Sequence, residues 1–369
     1  MKAFNEISQF QKRNRMVITL FFCVCAMASS NSVALVGVGY WGPNYLRLVT
    51  ESESFTLKVV CDKDPTRFGI KGLKKSNAKL FIDPLLAISS DVDCVILSTP
   101  ATTHYELCKL ALEAGKHVLV EKPLTLSLTQ AKELFEIAKQ NHLVLMAGQV
   151  YLYNNAIRFI RERLKSRRVL HLAHTRTGLG PIRNDVNAVW DLAIHDFAIT
   201  TYLTQFPERV WGVGEALLGE LEDTALCFLK MSSSIASIRV SWLDPLKRRE
   251  ISIVTQEEMI IFDDTNTQEP VKIYERGAQA QKLEGSQAAF KFLIKNGPVI
   301  SPFIPYEEPL ALQLERFAQR IEACETPYTW EDEVALRAVA IAEAVNMSIK
   351  KGGQEVKLID PISLKVESL

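Results

Sequence analysis

Ser32-Val33-Ala34-Leu35-Val36-Gly37-Val38-Gly39-Tyr40-Trp41-Gly42-Pro43 decides how this chain folds. An apolar strand runs into three glycines spaced G-x-G-x-x-G, and Pro43 opens a helix at the first turn, where its missing N–H costs nothing. Outward from this stretch, short apolar runs alternate with helical patterns. Phe55 to Cys61 reads as a second strand, and Asp64-Pro65 and Asp83-Pro84 each place an aspartate to cap a helix. Lys79 to Ile82, Cys94 to Ser98, His117 to Val120 and Leu143 to Ala147 continue the strands. Helices Tyr105 to Ala114, stopped by Gly115, and Leu128 to Gln140 lie between them. Parallel neighbours need crossover helices, so residues 31–150 are expected to form a doubly wound parallel sheet, an α/β Rossmann domain.

Asp62 ends the second strand twenty residues after Gly42. In that context the segment Gly37, Val38, Gly39, Tyr40, Trp41, Gly42 reads as a dinucleotide cradle. The glycines let the backbone approach a pyrophosphate at the positive end of the helix, and the carboxylate accepts from ribose hydroxyls. A carboxylate repels a 2′-phosphate, so Asp62 favours NAD over NADP, with Lys63 and Arg67 close enough in sequence to soften that preference.

After residue 150 the pattern changes. Asn155 to Leu164 and Val189 to Thr204 read as helices. Then come strands with little helix between them: Arg209 to Ala216, Thr224 to Lys230, Ile235 to Trp242, Glu250 to Val254, Met259 to Phe262 and Val271 to Tyr274. Two amphipathic helices, Glu308 to Ala323 and Glu331 to Lys350, follow. Residues 151–369 are therefore expected to form an α+β substrate-binding and oligomerisation domain on an open, mainly antiparallel sheet. Lys plus Arg equals Asp plus Glu at 43 each, so no net field draws the chain to nucleic acid or a membrane surface. The basic runs Lys71 to Lys75 and Lys247 to Arg249 read as solvated faces. Seven scattered cysteines read as reduced thiols. Residues 1–30 read as a leader or a mis-assigned start. Lys12, Arg13 and Arg15 precede the apolar run Val17 to Ala28, the shape of a signal peptide, whereas Met27 stands just before the first strand. A cytoplasmic protein is expected, with export the alternative if residues 1–28 act as a signal.

Lys122, in Glu121-Lys122-Pro123, stands at the carboxyl end of a parallel strand, where open α/β sheets bind ligands. It suits stabilisation of an alkoxide as hydride departs. Asp191 and His195 are four apart, which on a helix puts both on one face; the carboxylate is expected to orient the imidazole as a general base. No metal motif accompanies them, so no metal is expected. Tyr151, Tyr153 and Asn154, then Arg183, Asn184, Asp185 and Asn187, are polar groups placed to meet a substrate, Arg183 being suited to a carboxylate or phosphate.

Together these residues resemble the glucose–fructose oxidoreductase / inositol dehydrogenase (Gfo/Idh/MocA) family. The similarity is carried by residues 37–44, Cys61-Asp62, Thr99-Pro100 with His104, Glu121-Lys122-Pro123, residues 190–196 and residues 241–245. The resemblance implies a nicotinamide cofactor with Thr99, His104 and Glu121 near its reactive half, and Lys122 and His195 at the reacting carbon with Asp191 in support. It implies homodimers or homotetramers joined through the open sheet. Gln149 departs from the family, where histidine is frequent, at a contact near the cofactor. The glycine loop and the 183–193 stretch are most similar to bacterial members acting on nucleotide-linked sugars, UDP-N-acetylglucosamine-uronate 3-dehydrogenases among them. The expected reaction is hydride transfer between a secondary hydroxyl, or ketone, of a sugar or sugar nucleotide and NAD. The same residues also allow an NAD-dependent glycoside hydrolase or lyase, or an NAD(H)-binding sensor without turnover.

Overall fold

A computed structural model describes residues 30–73, 76–282, 290–325 and 327–363. The expected leader lies, except for residue 30, outside the described residues, as do Cys23, Cys25 and the end of the first basic run at residues 74 and 75.

The first sheet holds β1 (Asn31–Val36), β2 (Phe55–Cys61), β3 (Lys79–Phe81), β4 (Cys94–Leu97), β5 (His117–Glu121) and β6 (Leu145–Gly148). Its order is β3-β2-β1-β4-β5-β6, and every pair is parallel. Helices α1 (Gly42–Glu51), α2 (Pro84–Ile88), α3 (His104–Glu113) and α4 (Leu128–Gln140) provide the crossovers. Strand order reverses between β1 and β4, which opens a crevice at the carboxyl ends of the strands. Helices on both faces explain why all of β4 is buried. Asp83 caps α2 through the Leu85 N–H at 2.9 Å. Asp64 caps only a short 3-10 turn, Pro65–Gly69, where a full helix was expected.

The rest of the chain runs α5 (Asn155–Leu164), β7 (Val169–Thr177), α6 (Ile194–Leu203), β8 (Arg209–Glu215), β9 (Thr224–Lys230) and β10 (Ile235–Ser241). It continues with β11 (Arg248–Thr255), β12 (Met259–Asp263), β13 (Val271–Tyr274), β14 (Gly277–Lys282), β15 (Phe290–Lys295) and β16 (Val299–Ile300), then α7 (Pro309–Glu322), α8 (Trp330–Lys350) and β17 (Val356–Lys357). Nine strands form the second sheet, ordered β16-β13-β12-β11-β7-β10-β9-β8-β17, and β14 pairs only with β15. All second-sheet pairs are antiparallel except the central β7–β10 pair.

Strand β7 was not anticipated from the sequence. Its inward positions are Leu172, His174 and Arg176, and two of these are polar, so the alternation that marks a half-buried strand is hidden. Helices α6 and α8 pack together, and α8 also packs on β8, α4 and β6, which ties the two sheets to each other. Helix α7 likewise reaches the first sheet, with Phe317 stacked on Phe55 at 6.0 Å between ring centroids. A boundary at residue 150 thus separates the sheets but not the helices that brace them. Cys61, Cys94, Cys108 and Cys227 are buried and Cys324 exposed, all as free thiols. Among the described residues no helix is long and apolar enough to cross a membrane.

Candidate active site

The glycine loop sits at the crevice mouth. Gly37 has φ +92°, a conformation L side chains rarely adopt, and a Cβ there would run into the Ser98 carbonyl at the end of β4. A Cβ on Gly42 would meet the Gly37 carbonyl. At Gly39 a Cβ would meet only the Arg67 guanidinium, the far end of a side chain and not backbone. No side chain caps the N-terminus of α1 and its first turn holds no acid, so its free N–H groups and the positive end of the helix face the space in front of it. Asp62 accepts from the Val38 N–H at 2.8 Å and the Asp64 N–H at 2.9 Å, which fixes the carboxylate against the loop. Arg67 stands 3.6 Å from it. These features fit a dinucleotide: an open backbone cradle for the pyrophosphate and a fixed carboxylate for the ribose. Tyr40 and Trp41 are exposed on the same loop.

Beside the cradle, Thr99 and His104 join the ends of β4 and β5. The His104 ring nitrogens face the Pro123 carbonyl at 2.7 Å and the Thr99 carbonyl at 3.0 Å. Burial lowers the pKa of this ring, although both carbonyls favour its charged form. His104 is a clamp on the turn that carries Lys122. Glu121 is packed over Gly148, where a Cβ would lie 3.1 Å from its Oε1. Tyr45 donates to Glu121 at 2.7 Å, and Gln313 on α7 donates to Tyr45 at 3.0 Å. Burial pushes the Glu121 carboxyl up, against the Tyr45 hydrogen bond and the Lys122 charge. Sequence reading missed both Tyr45 and Gln313, since only the tertiary packing brings α1 and α7 under β5. Gln149 is buried, and its Nε2 has no partner among the described residues.

Lys122 and Asp191 meet across the domain boundary. Lys122 Nζ donates to Asp191 Oδ1 at 3.0 Å and to the Asp191 carbonyl at 2.7 Å. The Trp242 indole donates to Asp191 Oδ2 at 3.1 Å, and Arg183 stands 3.5 Å from Oδ1. Burial works against the carboxylate, but the charges of Lys122 and Arg183 outweigh it and hold Asp191 below the usual range.

The expectation that Asp191 orients His195 is corrected. Residues Val189–Ala193 form a π-helical turn ahead of α6, and the Asp191 carboxylate is bonded to Lys122 and the Trp242 indole, while His195 Nδ1 has no partner among the described residues. His195 instead packs its ring edge-on to Tyr151, with centroids 5.2 Å apart. Its Nδ1 is buried without a partner among the described residues. Burial, then the charges of Lys122, Arg176 and Arg249, push the imidazole well below its usual pKa. His195 is therefore a neutral ring among cations.

The other expected substrate residues divide. Tyr151 stays at the crevice, its hydroxyl donating to Asp264 at 2.8 Å and accepting from Arg176 at 2.8 Å. Asn154 is turned to a structural task, capping α5 through the Ala156 N–H at 2.9 Å. Asn187 is likewise held inside, donating to Glu222 at 2.8 Å and Asn346 at 2.6 Å and accepting from the Trp190 N–H at 3.1 Å. Arg183 is closed on Asp185 by two bonds of 2.8 and 2.7 Å. The basic run Lys247 to Arg249 is not wholly a solvated face, because Arg249 shares the inner face of β11 with Ile251 and Ile253. Arg176, Asp196, Arg249 and Asp264 join the site by tertiary structure alone. Among the described residues no three His, Cys, Asp or Glu side chains gather as a metal site would require.

Two family models match the chain. Residues 31–149 match the model described as an oxidoreductase family with an NAD-binding Rossmann fold, and residues 179–261 match the GFO/IDH/MocA C-terminal domain. UDP-N-acetylglucosamine 3-dehydrogenase of Acidithiobacillus ferrooxidans is 32% identical over 200 residues, covering 53% of this chain and 62% of that enzyme, less than two thirds of its length. A solved structure of the same enzyme superposes with a TM-score of 0.73 at 24% identity, covering 88% of this chain and 98% of that one. The WlbA dehydrogenase of Bordetella pertussis, solved with NADH and UDP-GlcNAcA, has a TM-score of 0.72 at 17% identity, covering 90% of this chain and 99% of that one, a likeness of fold. With both domain models matched and the cradle, the crevice and the Lys122 turn in place, the chain belongs to the Gfo/Idh/MocA oxidoreductase family, whose N-terminal domain binds NAD.

Proposed function

We propose that this chain is an NAD-dependent dehydrogenase acting on a secondary hydroxyl, or the corresponding ketone, of a sugar or sugar nucleotide, with Lys122 and His195 handling the proton. The observation that carries the reading is the Lys122–Asp191 ion pair, which holds an ammonium at the carboxyl end of β5 beside the dinucleotide crevice. The relative named UDP-N-acetylglucosamine 3-dehydrogenase supports the substrate class.

NAD, when bound, supplies the acceptor for the hydride that leaves the carbinol carbon. The chain's own part is to place the hydroxyl and remove its proton. His195 is neutral, so one ring nitrogen carries a lone pair that can accept that proton. Lys122, steadied by Asp191, donates to the oxygen as negative charge develops on it. In the reverse direction the same groups return the proton to a ketone. This reading puts the reaction in the cytoplasm, where thiols stay reduced.

In the same reading the protein is a homodimer or homotetramer. The sheet face away from α6 and α8 carries Trp211 stacked on Phe228 at 5.4 Å, with Val213 and Leu226 exposed, an apolar surface suited to a second copy. Sedimentation of the purified chain checks this.

The activity test is the reduced-nicotinamide absorbance on adding NAD and UDP-N-acetylglucosamine or its uronate. Net formation of NADH that disappears in Lys122→Met and His195→Gln, with the fold intact, is the expected result. Release of UDP without net NADH would favour a hydrolase or lyase instead.

A further inference from the structure

We propose that Arg249 is the anion-binding residue of the substrate crevice, receiving a phosphate or carboxylate group of an anionic sugar substrate; this rests on the crevice being the dehydrogenase site described above. In the antiparallel β7–β11 pair Arg249 lies directly opposite Arg176 on the inner face. Two like charges placed so repel each other and need counter-ions. Arg176 is neutralised and held on all three nitrogens: it grips Asp196 with two bonds of 2.9 Å and gives a third, at 2.8 Å, to the Tyr151 hydroxyl. Arg249 has one bond, 3.2 Å to Asp264 Oδ2, an oxygen already accepting from Tyr151. Its side chain is 40% exposed, and the rest of its five donors have no partner among the described residues.

The position is as telling as the free fork. Asp264 and Tyr151 hold Arg249 one aromatic ring away from His195, and its charge is among those that bear on the imidazole. The other cations of the crevice are taken: Lys122 by Asp191, Arg176 by Asp196, and Arg183 by Asp185. Arg183, which the sequence marks for an anion, has its fork closed. A planar guanidinium whose Nε and Nη2 are without a partner among the described residues can meet phosphate or carboxylate in two parallel bonds. A nucleoside-diphosphate sugar supplies the first group and a uronate the second.

The test is calorimetric titration of the NADH-loaded enzyme with three probes: UDP, glucuronate and neutral N-acetylglucosamine. Wild-type protein is expected to bind UDP, glucuronate or both. Arg249→Gln should weaken that binding about 10- to 100-fold and remove most of its salt dependence, Arg249→Lys should fall between, and N-acetylglucosamine should be unaffected. Which anion responds identifies the phosphate or the carboxylate as the group received. Unchanged anion binding in Arg249→Gln, no binding of either anion by wild type, or loss only in Arg183→Gln overturns the proposal. NADH binding by Arg249→Gln verifies its fold. Hydride transfer from a neutral sugar with no anion binding would reject Arg249's role and keep the dehydrogenase reading, whereas anion binding without hydride transfer to NAD from any sugar would do the reverse.

Discussion

Lys122 and Asp191, 69 positions apart in the chain, are joined by an ion pair of 3.0 Å that links the end of a strand in the first sheet to the π-helical turn entering α6. The two side chains are 18% and 16% exposed, partly shielded but open to the crevice. An ammonium fixed in this way does not wander into solvent, and it needs no reorganisation when charge appears on a substrate oxygen.

Lys122→Met keeps the aliphatic stem and removes the charge. Turnover is expected to fall roughly 10²- to 10⁴-fold, with NADH affinity nearly unchanged. Asp191 would retain only Arg183, at 3.5 Å, and the Trp242 indole. Stability should drop by roughly 1–3 kcal/mol, less than for a fully buried pair because of solvent screening. Urea unfolding of Lys122→Met, Asp191→Asn and the double variant measures the coupling. Additive losses would show that the pair does not interact energetically.

The three glycines of the loop should respond differently to alanine. Gly37→Ala and Gly42→Ala drive a Cβ into backbone and are expected to destabilise the fold by about 2 kcal/mol or more. Gly39→Ala meets only the far end of the Arg67 side chain, so melting should change little while NADH affinity falls at least about 10-fold. Thermal melts with and without NADH separate the two behaviours, and equal damage at all three positions would contradict the cradle geometry.

His195 sets an acid limb on stability. The unfolded ring titrates near 6.5, while burial and then Lys122, Arg176 and Arg249 depress the folded value well below it. Between those values the unfolded chain binds the extra proton, so stability present above about pH 6.5 is lost as pH falls through the window. The loss is at most about 1.4 kcal/mol per pH unit for this group. Denaturation from about pH 7 downward should be less steep for His195→Gln than for the wild type. Identical slopes would mean that the ring is not desolvated in the fold.

Asp62→Ser should loosen the cofactor preference. The carboxylate now ties down Val38 and Asp64 and faces where ribose hydroxyls would lie, with Arg67 at 3.6 Å. Removing its charge leaves Arg67 paired only with Asp64, at 3.5 Å, and able to turn its Nη1 to a 2′-phosphate, so the ratio of NADH to NADPH affinity should shrink roughly 10- to 100-fold. Fluorescence titration with both cofactors measures the ratio.

Much of the first domain was legible because its signals are local. The run from Ser32 to Pro43 specifies strand, turn and helix through residues that touch one another, and Asp62 follows at a spacing set by one helix and one strand. The second domain was harder. Strand β7 places His174 and Arg176 inward because Asp196 lies over them, with Arg176 bonded to it at 2.9 Å, and no residue near β7 in sequence announces that partner. Asn154 and Asn187 look like substrate ligands in a linear reading, yet their amides are consumed by a helix cap and by Glu222 and Asn346.

The sequence alone determined the dinucleotide cradle, the alternating α/β order and the presence of Lys122, Asp191 and His195, since each follows from short-range periodicity or from residue chemistry. Tertiary structure alone decided which groups meet. The Asp191 carboxylate, carried on a π-helical turn, meets Lys122 rather than His195, and cross-strand register sets Arg249 opposite Arg176 with a single bond, to Asp264. Such pairings depend on side-chain direction and on strand register between distant segments, where one residue of slip sends a side chain to the other face.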